Sequence, residues 1–106
     1  MPTAKEFVRK LPQAFNADVA GSTHATVQYE LSEPMYSVIK DGKMKVFEGR
    51  AESPDVTVTM GDDDFISLMK GELNGMAAFM SGRLKVAGDM MLAQRLVSFV
   101  DGEKLA

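Results

Sequence analysis

Cysteine is absent from the 106 residues and histidine occurs once, at position 24. Without thiols the chain has no disulfides, no thiolate metal sites and no cysteine nucleophile, and it suits a reducing or an oxidising compartment equally. His24 falls at the edge of an expected strand, where solvation is a simpler role than general-base work. A long apolar run is also missing. The opening MPTAKEFVRKL offers neither a signal peptide nor a transmembrane helix, so the cytoplasm is the expected location. Basic charge is not in excess: 12 Lys and Arg stand against 15 Asp and Glu, a formal net charge of -3. The basic residues are scattered, so nucleic acid is not an expected partner.

Catalytic patterns are missing too. Ser22, Ser32, Ser37, Ser53, Ser67, Ser81 and Ser98 occur in no nucleophile-elbow context. Glu30 and Glu33 stand on polar strand faces or turns, where solvation accounts for them. The glycines form neither a Walker loop nor a dinucleotide fingerprint. An enzyme acting alone is not expected, and no cofactor is.

What the chain does have is enough apolar residue for one core. A hydrophobic fraction of 45% with 25% charged residues excludes disorder, and the length is most economically a single domain, residues 1–106. Nine methionines are the unusual feature, six of them (Met60, Met69, Met76, Met80, Met90, Met91) in the C-terminal half. Thioethers fill irregular core gaps and recur on surfaces that adapt to apolar partners.

Thr3 and Glu6 have capping-box spacing, and Phe7, Val8, Leu11 and Phe15 follow at helical intervals, which predicts a helix from about Ala4. Pro12 predicts a kink or break near Leu11. The polar face, Lys5, Arg9 and Gln13, is a solvated face or a transient contact for an anionic membrane. From Ala25 the period becomes two, through Ala25, Val27, Tyr29 and Leu31. A second strand, Met35 to Lys40, meets Asp41-Gly42, a hairpin signal, and Met44 to Glu48 returns. Val56, Val58 and Met60 predict a fourth strand after a polar loop.

Asp62-Asp63-Asp64 precede Phe65, Leu68 and Met69. Consecutive acids suit a helix N-terminus as cap and dipole partners better than a metal, which needs ligands converging from several directions. Gly71 ends that helix, Asn74 caps a short one carrying Met76, Phe79 and Met80 on one face, and Gly82 stops it. Two helices between the fourth and fifth strands read as a crossover, so these strands would be parallel if adjacent. Leu84 to Ala87 predicts the fifth strand, handing over at Gly88-Asp89 to a helix from Met90 to Val100. Leu92, Ala93, Leu96, Val97, Phe99 and Val100 fill one wide arc, with Gln94, Arg95 and Ser98 opposite. Such a face must be covered. A sheet covered imperfectly would leave a gap for a hydrophobic ligand.

The run DVTVTMGDDDFISLMKGELNGMAAFMSGRLKVAGDMMLAQRL, Asp55 to Leu96, resembles the C-terminal half of the sterol carrier protein type 2 (SCP-2) domain. The shared order is an alternating strand, an acidic helix start, a glycine-ended helix, a short aromatic helix, a Leu-Lys strand, a Gly-Asp pair and a final helix. The earlier meander fits the family's first three strands. The resemblance implies an α+β (α/β) fold: a five-stranded, mostly antiparallel sheet, helices covering one face and a hydrophobic tunnel between. It implies non-catalytic carriage or transfer of a fatty acid, fatty acyl-CoA or sterol-like lipid.

On the short helix, Phe79 and Met80 match the family's aromatic pair beside Met76. Leu84 and Val86 match the inward residues of its last strand, and Met91, Leu92 and Leu96 the tunnel side of its final helix. Gln94 is either a polar contact for a ligand head group, as in some members, or part of the wet stripe. Phe79-Met80 replaces the commoner double Phe, a softer lining. The last residues, Glu103-Lys104-Leu105-Ala106, lack the peroxisomal address of eukaryotic members, which suggests a small stand-alone bacterial-type member in the cytoplasm, monomeric or weakly dimeric. The final helix, hinged at Gly88, is the expected lid. A competing reading is a structural or regulatory SCP-2-like module that dimerises or assists a lipid- or isoprenoid-handling enzyme.

Overall fold

Alternating sequences become strands where the chain also supplies the turns. In the computed structural model, which describes residues 3–16, 18 and 21–96, Asp41 (φ 53°) and Gly42 (φ 71°) both take the left-handed backbone of a type I′ turn. They join β2 (Met35–Lys40) to β3 (Lys43–Glu48) as an antiparallel pair with Lys40 opposite Lys43. β1 (Ala25–Glu30) pairs antiparallel with β2, and β4 (Val56–Met60) lies parallel to β1. β5 (Leu84–Gly88) completes a five-stranded sheet of order β3-β2-β1-β4-β5. Three of the four pairings are antiparallel, as expected.

The parallel pairing expected for the last two strands is overturned: β5 runs antiparallel to β4, with Met60 opposite Leu84. Between them come α2 (Asp62–Met69) and α3 (Gly75–Met80). One helix would carry the chain back along the sheet and deliver it parallel. Two short helices in succession cancel that displacement, so the chain re-enters at the end it left. The parallel contact instead joins β1 to β4 across the inserted β2–β3 hairpin.

The first helix, α1 (Ala4–Ala14), starts where Thr3 Oγ1 accepts from the Glu6 amide at 3.2 Å. It is continuous through Pro12, contrary to the expected break. Pro12 lies in the last turn, where it forfeits one hydrogen bond, while Phe7, Val8, Leu11 and Ala14 bury the opposite face. α1 packs against β3 and α2. Glu48 at the end of β3 pairs with Lys5 and, at 3.3 Å, with Arg9. The Lys5 ammonium beside it is the main reason that the Glu48 carboxyl lies below its ordinary value. Two cations of the polar face thus face an anion of the same chain, which weakens the membrane reading of that face.

Asp62 corrects a second expectation. Gly61, not an acid, is the N-cap of α2 and makes no side-chain cap bond. Asp62 instead ties the β1–β2 connection, accepting from the Ser32 amide at 2.9 Å and from the Ser32 hydroxyl. The three acids remain in the first turn, where the helix dipole favours them. Asn74 caps α3 as expected, its Oδ1 accepting from the Ala77 amide at 3.1 Å.

The final helix, α4 (Met90–Leu96), is launched by a close backbone contact. Gly88 (φ 100°) sits so near the start of β4 that a Cβ would stand 2.5 Å from the Asp55 carbonyl oxygen. The Asp89 amide donates to that oxygen at 2.9 Å, and Asp89 Oδ1 accepts from the Leu92 amide at 3.0 Å as a cap. Gly88 is therefore a fixed junction rather than a free hinge. Residues 97–100, expected to extend the helix, lie outside the described residues. Replacing Gly88 with Ala should destabilise the fold by about 2–4 kcal/mol through clash and strained φ together. A lowered urea midpoint with an unchanged m-value checks this.

Candidate functional site: an apolar cavity between sheet and helices

On the inward side of the sheet, period-two alternation aligns Met35, Tyr29, Val58 and Val86 as cross-strand neighbours, with Met60 beside Leu84 one pair further on. The four helices named above cover this surface unevenly. α1 packs against β3, whereas α3 packs on β5 and α4 on β4 and β5. The helices are anchored toward opposite edges of the sheet, and side chains do not fill the space above its centre. A cavity of about 380 Å³ lies there and opens to solvent.

The floor is Tyr29, Met44, Val58, Leu84 and Val86. Leu11 of α1 and Phe65, Leu68 and Met69 of α2 form one side. Gly75, Met76 and Phe79 of α3 form another, and Met90, Ala93 and Gln94 of α4 a third. Of these side chains only Tyr29 and Gln94 are polar. Tyr29 is already partnered: its hydroxyl lies 3.0 Å from Ser37 Oγ, and its ring meets Phe65 edge-on with centroids 5.7 Å apart. Burial pushes the phenol up to about 12, partly offset by the Ser37 hydrogen bond, so it stays protonated at neutral pH and supplies no base. Among the described residues no three His, Asp or Glu side chains gather into a set that could hold a metal, and no helix is long and apolar enough to cross a membrane.

Five of the residues expected to line a tunnel, Met76, Phe79, Leu84, Val86 and Gln94, stand together on this surface. Met80 and Met91 do not: both point outward, at 77% and 75% exposure. Leu92 is buried in the main core instead. The Leu96 side chain lies outside the described residues. α4 thus presents positions 90, 93 and 94 to the cavity rather than 91 and 92. The Asp89 cap and the Gly88 junction fix where the helix starts, and so its rotation. Gln94 reaches the cavity for the same reason, although a wheel drawn from sequence puts it on the polar stripe. Arg95 on that stripe points elsewhere, its Nη2 3.5 Å from Thr23 Oγ1.

Sequence reasoning left out Leu11, Tyr29, Met44, Val58, Met90 and the apolar face of α2 as lining residues. Alternation and helical spacing did mark most of these as inward. Neither pattern separates a side chain facing a gap from one facing another side chain.

The sheet and helices of this small α+β domain enclose an apolar cavity with no charged side chain among the described residues of its wall, the form of a site that holds a hydrophobic ligand. The SCP-2 sterol transfer family matches residues 5–101, and the chain belongs to that family. It is similar to sterol carrier protein 2 of Rattus norvegicus, 36% identical over 97 residues, covering 89% of this chain and 16% of that protein. The chain spans about 15% of the length of the curated relatives it matches.

Among solved structures, the sec-alkylsulfatase Pisa1 from Pseudomonas sp. contains a region of the same fold (TM-score 0.86, 18% identity), covering 94% of this chain and 16% of that one. The palmitated SCP2L2 of Aedes aegypti superposes with a TM-score of 0.71 at 22% identity, covering 92% of this chain and 93% of that one. The fold therefore occurs both over nearly a whole chain and as part of a larger enzyme.

The buried phenol makes a pH prediction. The Tyr29 proton is held more tightly in the folded state, so its contribution to stability is complete below pH 10 and is lost as pH rises toward about 12. Tyr29→Phe should flatten that alkaline loss, measured by urea melts across the range. At neutral pH it should cost about 1–2 kcal/mol because Ser37 loses its partner.

Proposed function

We propose that this chain is a non-catalytic carrier that holds one hydrophobic ligand, a fatty acid, fatty acyl-CoA or sterol-like lipid, in the cavity between sheet and helices. The observation that carries the reading is a solvent-open, apolar space of about 380 Å³, within the usual ~300–1,000 Å³ of ligand pockets. An unfilled apolar space of that size is costly unless something occupies it. Each methylene moved from water into it contributes about 0.8 kcal/mol, so ten supply on the order of 8 kcal/mol before ordering losses. Useful affinity then needs no charged contact.

The lipid-binding residues in this reading are Met76, Phe79, Leu84, Val86 and Gln94, joined by Tyr29, Val58, Phe65, Met90 and Ala93. Gln94, as the unburied polar side chain on the wall, takes the ligand's polar end. Family membership supports the class of ligand, and the palmitated state named for the Aedes aegypti relative supports an acyl chain. The carrier works in the cytoplasm as a monomer or weak dimer, needs no cofactor and touches membranes only transiently. α4 is the element that opens. Opening separates its cavity-facing residues from β5 while the Gly88 junction holds, and it breaks the Arg95 contact to Thr23.

Native mass spectrometry of the purified chain tests the proposal: a co-purifying lipid, or uptake of a fluorescent fatty-acid analogue at one per chain, is the expected result. An empty, stable dimer that ignores the analogue overturns it in favour of a structural module. Phe79→Asp, at a position half open to solvent, should leave the fold intact and weaken the analogue about tenfold or more. Unchanged affinity in the folded variant would remove Phe79 from the site.

A further inference from the structure

The eight methionines among the described residues divide sharply by environment. Met35, Met44, Met60 and Met69 are each less than a tenth exposed. Met76, Met80, Met90 and Met91 are 60%, 77%, 41% and 75% exposed. With Phe47 and Phe79 they make up the large exposed hydrophobic side chains of the described residues, so gap-filling does not explain them. Two of the four, Met76 on α3 and Met90 on α4, also line the cavity. Met80 and Met91 do not. The wall of an apolar site therefore carries two thioethers that solvent reaches directly.

A thioether in water is open to peroxides, and its product is a polar, chiral sulfoxide. The sulfur lone pair attacks one oxygen of hydrogen peroxide, the O–O bond breaks and an S–O bond forms. The hydroxide released takes the proton from the transferred oxygen and leaves as water, so sulfur loses two electrons and the peroxide gains them. At Met80 or Met91 the new S=O can stay hydrated. At Met76 or Met90 it would project onto a wall that an acyl chain covers, and binding would strip its water where the polar side chains are Tyr29, already bonded to Ser37, and Gln94, occupied by the ligand's polar end. We propose that Met76 and Met90 are peroxide modification sites whose sulfoxidation lowers the cavity's affinity for an apolar ligand. This rests on the carrier reading and adds its regulation. The change is reversible by the reductases for the two sulfoxide epimers.

The test treats the chain with hydrogen peroxide, maps oxidised peptides by mass spectrometry and titrates a dansyl-labelled undecanoic acid before and after. Expected are one added oxygen at each of Met76, Met80, Met90 and Met91 ahead of the four buried methionines, and affinity weakened about tenfold. Both epimer-specific reductases together should restore it. The variant M80L/M91L should lose affinity on oxidation as the parent does, whereas M76L/M90L should hold the affinity of its own untreated state. Parent protein bearing both sulfoxides yet binding as before overturns the proposal, as does M76L/M90L losing as much as the parent. Circular dichroism separates a closed site from a lost fold, and unfolding on oxidation also counts against the proposal. If the untreated chain takes up no probe, the carrier reading fails and this one with it; binding that is present but unaltered by oxidation removes this one alone.

Discussion

The Asp55 carbonyl, wedged against Gly88 and bonded to the Asp89 amide, is the contact on which the site depends. It fixes where β5 ends and α4 begins. Asp55 also accepts from the Thr26 amide through Oδ2 at 2.7 Å and donates its own amide to the Thr26 carbonyl at 2.8 Å. One residue thereby joins the start of β1, the start of β4 and the launch of α4. Because the helix can leave in only one direction from that knot, the side chains it turns toward the sheet are settled before any packing is considered.

The rest of the molecule holds the sheet still around this point. Gln28, buried on the face away from the cavity, donates to the Met35 and Gly49 carbonyls and accepts from the Ala51 amide, so the loop into β4 is clasped by one satisfied polar side chain. Arg50 forms a fork with Glu30, two residues along β1 on the same face as Gln28. Asp62 ties the start of α2 to the β1–β2 connection. With both ends of β1 and β4 held, the central strands act as a rigid floor. α3 and α4, by contrast, pack on the edge strand β5 and expose much of their apolar surface.

The cavity follows from this distribution of anchors. α1 buries Phe7 and Val8 fully against the core and brings Leu11 to one side of the cavity. α3, only six residues long, and α4 cannot cover an equal area on the other side. The unfilled volume above Tyr29 and Val58 is what remains, and its wall is apolar because the strands beneath it alternate with a single hydrophobic face.

The strands, the Asp41-Gly42 turn, the Thr3 and Asn74 caps and the inward faces were legible in the residues, because each depends on neighbours within a few positions. Together with the order of motifs from Asp55 to Leu96 they also pointed to the family. Tertiary structure decided the rest. The antiparallel pairing of β4 with β5 depends on how two helices pack, which periodicity does not encode. Pro12 is accommodated because a buried face outweighs one lost hydrogen bond. The exchange of Met91 and Leu92 for Met90 and Ala93 beside Gln94 on the cavity wall turns on the rotation of one helix, set by a contact between residues 33 positions apart. A helical wheel shows which residues share a face, but only the Asp55–Gly88 approach determines where that face points.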